Sequence, residues 1–312
     1  MTIKTTDLGD LPRGSIGQPD PVILPDPSVL FVRRAERLRV LAVAHPMGDW
    51  LRFVALIADA QHRACGPVRP PCGNQDKVVP EAGSSPAPGH DDGKRVDEPP
   101  LAAAMTRLDA PFDHALAHIV AVGDDPSIPD VAREILRGLH SLDTRALAGA
   151  WLAGTMPAQR AGEAVPICAA LQVWFTLRAA ALDVSRVHLL PRLGLCPVCG
   201  AAPVAGVITA SGKAPGARYL HCGLCATAWN YVRASCIGCG ESKGLALQEV
   251  EGGTGAIKAE TCEACHGYAK MFYQAKDMAI EPFADDLGSL GLDLMVSDAG
   301  WSRLAPNPFV SA

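Results

Sequence analysis

The chain has 312 residues, 48% hydrophobic and 20% charged, enough apolar material for one large or two smaller cores. A formal charge of -5 gives no general attraction to nucleic acid or anionic membranes, and no apolar run approaches the roughly 18 residues that suggest a transmembrane span. Eleven cysteines without a secretory h-region favour a reducing compartment, so the expectation is a cytoplasmic protein with no stable membrane insertion.

Residues 1–25 are rich in Pro, Gly and Asp without periodicity and read as a flexible arm. Asp26-Pro27 pairs a capping side chain with proline at a first helical position, and predicts a helix whose face is Leu30, Phe31, Arg34, Ala35, Leu38 and Ala42. A second helix, capped by Asp49, carries Trp50, Phe53, Val54, Ile57 and Ala60 at helical spacing. Gly, Pro, Ser and charge then dominate 66–100, which reads as a mobile insertion. Cys65 and Cys72 have six residues between them, against the usual two to four of a metal pair, and are expected to be unligated.

Helical signals return over 111–122, 128–140, 143–153 and 166–189, completing a helical domain over 26–190. Trp151, Trp174 and Phe175 are expected in its core, with Cys168 as a small buried hydrophobe. After Pro191 the texture changes to Gly and short alternating stretches. Ala226 to Val232 alternates like a strand, and Met271-Phe272-Tyr273 holds the related place forty residues on. The segment 276–312 is expected to be a C-terminal helix and tail, the helix running from Pro282 to Asp298. Leu287, Leu290, Leu294 and Met295 would face inward, and Asp285 and Asp286 would complement the helix dipole.

The most informative feature is a repeat of Cys-x-x-Cys pairs: Cys196/Cys199, Cys222/Cys225, Cys236/Cys239 and Cys262/Cys265. The second two reproduce the first two forty residues later, with 22 residues between the pairs each time. A hydrophobic core does not require that regularity. A duplicated four-thiolate metal site does, because two such turns complete a tetrahedron. Gly200 and Gly240 follow the leading turns and tolerate the left-handed backbone these need, letting backbone N–H groups point at the thiolates. Sequential pairing makes 196–235 and 236–275 two self-sufficient modules. A cross-braced arrangement, first pair with third and second with fourth, is the alternative.

Redox pairs of thioredoxin type need a βαβ context that this Gly/Pro texture lacks, and a disulfide framework conflicts with the absent export signal. His221 and His266 flank ligand cysteines and are expected to be solvent-exposed neighbours. Four soft thiolates suit two zinc ions or two rubredoxin-type iron ions, each worth about 10–16 kcal/mol of apparent binding energy to folding. With all four positions filled by protein, such a site is structural or electron-carrying. Residues 196–235 carry three basic and no acidic side chains and 236–275 three basic and five acidic, which is no basic stripe for nucleic acid. The chain has no Gly-x-Ser-x-Gly elbow, phosphate-cradling loop, dinucleotide fingerprint or His-Glu-x-x-His, and the pair His114/His118 lacks a third ligand. No enzyme is expected.

With these cysteines in place, the chain resembles the FdhE family of formate dehydrogenase accessory proteins. The resemblance is carried by Cys196-Pro-Val-Cys199-Gly200, Tyr219-Leu220-His221-Cys222-Gly-Leu-Cys225, the strand from Trp229 to Arg233, Cys236-Ile-Gly-Cys239 and Cys262-Glu-Ala-Cys265-His-Gly-Tyr268-Ala-Lys270. Asp26-Pro27, Leu30-Phe31, Arg34-Ala35 and Leu38 add to it, as do Ala284-Asp285-Asp286-Leu287 and Leu292-Asp293-Leu294, so it spans most of 26–310; the stretch 66–100 departs from it. It implies a cytoplasmic assembly factor that binds rubredoxin-like iron through the cysteine pairs. Its implied partner is the catalytic subunit of a respiratory formate dehydrogenase, before export by the twin-arginine route. The expected fold is therefore multidomain α+β: a helical N-terminal domain, two rubredoxin-like metal-ribbon modules and a C-terminal helix. Electron transfer through rubredoxin-like iron and nucleic-acid binding through zinc ribbons are the rival functions.

Overall fold

The computed structural model describes residues 2–7, 17–66, 99–101, 108–190 and 194–310. Most of the expected insertion, and Cys72 with it, lies outside the described residues. The helices come from the first part of the chain and from its C-terminal end, and most strands come from between them.

Asp26 Oδ1 accepts from the Ser28 backbone N–H at 2.9 Å and from its hydroxyl at 2.6 Å, so the expected cap closes a turn. Helix α1 (Leu30–Leu41) begins after that turn and buries Phe31, Arg34, Ala35 and Leu38, the predicted face. In α2 (Gly48–Cys65) Asp49 does not cap; it sits in the first turn, 2.5 Å from Arg52. Phe53, Val54, Ile57 and Ala60 are buried as expected. Helices α3 (Ala110–Val120) and α4 (Asp130–Gly138) each run on into a short 3-10 turn. Asp143 caps α5 (Thr144–Leu152), accepting from the Ala146 N–H at 3.0 Å.

Helix α6 (Ala161–Ala180) starts before and stops short of the predicted 166–189. Pro166 lies inside its N-terminal part, where proline forfeits only one ladder bond. At the other end Asp183 accepts from the Ser185 N–H at 3.1 Å and turns the chain away. From Ile167 to Thr176 every residue of α6 is buried, so the helix is apolar nearly all round and forms the centre of the helical layer. Trp174 and Phe175 lie there as predicted; Trp151, also expected in the core, is only partly buried and packs against its outside.

The strands are β1 (Ile3–Asp7), β2 (Val22–Ile23), β3 (Pro203–Ile208), β4 (Arg218–Cys222), β5 (Ala228–Tyr231), β6 (Leu245–Val250), β7 (Ile257–Cys262), β8 (Gly267–Tyr273) and β9 (Ser302–Arg303). Their order is β1-β6-β7-β8-β3-β4-β5-β2, with β9 beside β8. Each repeat thus contributes an antiparallel three-stranded ribbon, and the ribbons join where β3 lies parallel to β8. Gly206 faces Met271 at that seam, where a Cβ would come within 2.5 Å of the Met271 sulfur. Arg218 of β4 and Glu260 of β7 add a buried ion pair of 2.7 Å between the two ribbons. The expected arm is in part structured: β1 pairs with β6 and β2 with β5. Both segments satisfy backbone groups that an open sheet edge would leave unpaired, so their partners make them strands rather than any periodicity of their own.

The predicted C-terminal helix is two helices, α7 (Pro282–Leu287) and α8 (Leu290–Asp298). At the break, Ser289 Oγ donates to the Asp285 carbonyl at 2.7 Å and accepts from Lys270 Nζ at 2.9 Å. The bend turns Leu292 and Val296 inward and leaves Leu294 69% exposed, contrary to expectation. Asp285 and Asp286 do more than complement a dipole, since both side chains are fully buried. Asp285 is gripped by Arg37 of α1, whose Nε donates at 2.9 Å and Nη2 at 2.6 Å, while Asp286 pairs with Lys270 of β8 at 2.9 Å and Arg303 of β9 at 2.6 Å. Helix α7 therefore clamps the helical layer to the sheet. No helix among the described residues is long and apolar enough to cross a membrane.

Candidate metal centres

Each leading turn is closed by its own backbone. The Gly200 N–H donates to the Cys196 carbonyl and the Cys196 N–H to the Ala201 carbonyl, both at 2.9 Å. The second repeat matches: Gly240 to Cys236 at 3.0 Å and Cys236 to Glu241 at 2.7 Å. Gly200 and Gly240 have φ of 78° and 80°, the left-handed conformation expected of them. The trailing turns start from the strand ends Cys222 and Cys262. Ala226 and His266, each directly after the last cysteine of its repeat, are left-handed without being glycine (φ 57° and 52°). The duplication therefore extends to backbone conformation.

The thiols gather sequentially, Cys196/Cys199/Cys222/Cys225 in one cluster and Cys236/Cys239/Cys262/Cys265 in the other. Within each cluster the sulfurs all lie within 4.8 Å of one another, and the cross-braced alternative is not adopted. Cys196–Cys225 and Cys199–Cys222 are 3.5 Å apart, and Cys236–Cys265 and Cys239–Cys262 are 3.7 Å apart. A disulfide needs about 2.05 Å, and all eight are free thiols. A tetrahedron with metal–sulfur bonds of about 2.3 Å has sulfur–sulfur edges of about 3.8 Å. The donor sets fit a metal ion.

The electrostatics favour one thiolate in each cluster. Burial opposes ionisation of Cys222. Hydrogen bonds from Cys196, Cys199 and Cys225, and from the Cys225 backbone N–H, nevertheless hold it well below the ordinary thiol value. The Leu224 and Cys225 N–H groups both lie 3.3 Å from its sulfur. In the second cluster the backbone N–H of Glu241 leads in lowering Cys239, while burial pushes Cys236 up to about 12. A divalent ion would supply the positive charge needed to ionise the remaining thiols.

The surroundings of the two clusters differ. All four thiols of the first are buried and belong to the main core, which also includes Val198, Leu224 and Phe309. The second has only Cys236, Cys262 and Leu245 in a small core of its own, and Cys239 and Cys265 are exposed. His221 is half-buried rather than exposed, its imidazole pushed down to about 4 by burial, and His266 is exposed beside Trp301. Neither histidine joins a cluster.

Several supporting residues escaped the sequence reading. Gln172 of α6 donates to the Gly223 carbonyl in the first trailing turn at 2.6 Å. Thr227 Oγ1 lies 3.1 Å from Cys225 Sγ, and Tyr231 donates to the Cys236 carbonyl at 2.9 Å. Arg218 reaches the Ser235 carbonyl at 2.6 Å, just before the second leading turn. Polar residues beside a Cys-x-x-Cys turn are a usable signal for Thr227 and Tyr231; nothing local marks Gln172. Away from the clusters, Cys168 is fully buried and its thiol is pushed well up by burial, and Cys65 is raised to about 12 for the same reason. The rings of His114 and His118 meet edge to face at 4.7 Å.

Three family models cover most of the chain: "FdhE, N-terminal" over residues 19–190, "FdhE, central domain" over 195–233 and "FdhE, C-terminal domain" over 234–310. A protein named FdhE homolog from Edwardsiella ictaluri is 35% identical over 301 residues, covering 95% of this chain and 93% of that protein. Another from Rhizobium meliloti is 32% identical over 310 residues, covering 94% and 97%. The crystal structure of the FdhE protein from Pseudomonas aeruginosa superimposes with a TM-score of 0.76 at 32% identity, covering 94% of this chain and 99% of that one.

Proposed function

The chain belongs to the FdhE family, and from that premise we propose that it is a cytoplasmic accessory factor in the maturation of a formate dehydrogenase. It binds the enzyme's catalytic subunit through a surface braced by two metal ions. Cys196, Cys199, Cys222 and Cys225 hold one ion, and Cys236, Cys239, Cys262 and Cys265 the other, as iron or zinc. The helical domain over 26–190, the modules 196–235 and 236–275 and the C-terminal segment 276–312 act as one scaffold in this reading.

The observation that carries it is the closure of both clusters. Each offers four sulfurs at spacings that suit a tetrahedron, leaving no position for substrate or activated water. The role is thus non-catalytic. Affinity capture from anaerobically grown cells, with metal analysis on the same sample, tests it. A formate dehydrogenase catalytic subunit should be recovered with metal-loaded protein; its absence under gentle conditions would count against the accessory role.

The exposure of Cys239 and Cys265 favours a second reading, electron transfer at an iron-loaded second site. That reading requires a reversible one-electron couple with a visible spectrum that bleaches on reduction. Iron that stays in one oxidation state through reduction and reoxidation would exclude it.

A further inference from the structure

We infer that the two cages divide their labour by lability: the second exchanges its metal with soft external ligands, whereas the first keeps its metal as a fixed part of the core. This rests on the reading of both clusters as metal cages. Three observations carry it, each a difference between otherwise repeated sites.

The first is enclosure. All four thiols of the first cluster are buried, and they are continuous with the core that includes Val198, Leu224 and Phe309. In the second cluster Cys239 and Cys265 are exposed, one from each turn, so solvent reaches the cage from both sides of its mouth.

The second is cover. The trailing turn of the first site is overlaid by Gln172, which donates to the Gly223 carbonyl at 2.6 Å. Pro308 presses on the same turn, where a Cβ at Gly223 would lie 3.1 Å from the ring. The corresponding residues of the second site, Glu263, Ala264, Cys265 and His266, are all exposed. The C-terminal tail touches this turn at its edge, through the Ser302 N–H on the His266 carbonyl at 2.9 Å and Leu304 against Gly267, yet leaves all four of these residues exposed.

The third is anchoring. The second leading turn is held mainly from the buried side, through Tyr231 on the Cys236 carbonyl and Arg218 on the Ser235 carbonyl. Those bonds hold the Cys236 side, and Cys262 is held at the end of β7 by its pairing with Leu245 and Gly267. Cys239 and Cys265 lie on the exposed side, where they can release a metal while the fold persists.

Exchange follows from ordinary ligand substitution. An incoming thiol loses its proton as its sulfur bonds the metal. The bond from Cys265 or Cys239 breaks, and the released cysteine takes up a proton. The metal keeps its oxidation state throughout, and no other reactant is needed. The ligand class is therefore a soft thiolate, whether from a small dithiol or from a cysteine on a protein partner. The first cage offers no approach for the first bond to form.

The test uses the full chain loaded with zinc and challenged with an excess of a small dithiol, a chromogenic zinc chelator reporting the metal released. We expect two phases of one equivalent each, separated by about tenfold or more in rate. On the same unmutated protein, brief alkylation read by mass spectrometry should label Cys239 and Cys265 ahead of the other six cage cysteines. In a Cys239→Ser, Cys265→Ser chain the fast equivalent should vanish while the slow one remains. Two equivalents leaving at one rate, or early label on the first cluster, would overturn the inference and leave the metal reading standing. Fewer than two equivalents bound before the challenge would overturn both.

Discussion

Lys270, Asp286, Arg303 and Asp293 form a cluster of alternating charge in which the side chains of Lys270 and Asp286 have no exposure at all. Burial works against ionisation of Asp286, but the charges of Lys270 and Arg303 outweigh it and hold the carboxyl below its ordinary value of 3.8. A depressed pKa means that the stabilisation is complete above the unfolded value and is lost as pH falls through the folded one. Asp286→Ala leaves buried Lys270 short of a partner and should cost about 3–5 kcal/mol at neutral pH by urea unfolding. For Asp286→Asn, the stability difference from the parent should be constant near pH 7 and narrow only below about pH 4. Taking that difference at each pH cancels proton competition at the cysteines. A second site-specific case is Gly194, left-handed at φ 73°, where a Cβ would meet the Ile237 carbonyl oxygen at 2.3 Å. Gly194→Ala should therefore destabilise by roughly 1–3 kcal/mol, and the thermal midpoint reports it.

Helix α6 shows how far an element could be read from sequence. Its apolar residues announced a helix, and Trp174 and Phe175 lie in the core as their type suggested. Its ends were misplaced because Pro166 suggests a start when only local chemistry is visible, whereas packing on every side extends the helix past it. Gln172 reads as a neutral residue in a helix, yet it accepts from Gln61 and Arg34 and donates to Gly223 of the first thiol turn. Gln172→Ala removes one bond from each, but Gln61 keeps the Ala169 carbonyl and Arg34 keeps Glu281, so the main loss is the donor to the Gly223 carbonyl, which should cost about 1–3 kcal/mol. It should also speed metal loss from the first cluster in the chelator assay without changing the second. Strands β1 and β2 were illegible for a related reason, because their conformation is set by the edges they cover and not by their own residues. The cysteine turns were legible because their chemistry is local: the spacing and the following glycine predicted the left-handed backbone that Gly200 and Gly240 adopt, at φ 78° and 80°.

At the scale of the whole molecule, the two ribbons share one sheet, and α7 ties that sheet to the helices through Arg37–Asp285 and Arg303–Asp286. Ions held by the two clusters would link metal binding to folding of the ribbons, each contributing up to about 10–16 kcal/mol of apparent binding energy. Stripping both ions should lower the melting temperature and loosen the strands before the helices, which hydrogen exchange resolves by segment. The forty-residue repeat favoured pairing of thiols within each ribbon but left the cross-braced arrangement open; the structure gathers them sequentially. The unequal burial of the two clusters was not legible, since it depends on where the helical layer lands. Two closed four-sulfur cages brace the whole molecule in this reading. X-ray absorption at the metal edge, with metal counting on protein kept under reductant, tests this most directly. Two ions per chain, each with four sulfurs at about 2.3 Å, is the predicted result. Oxygen or nitrogen in the first coordination sphere, or a single ion per chain, would contradict it.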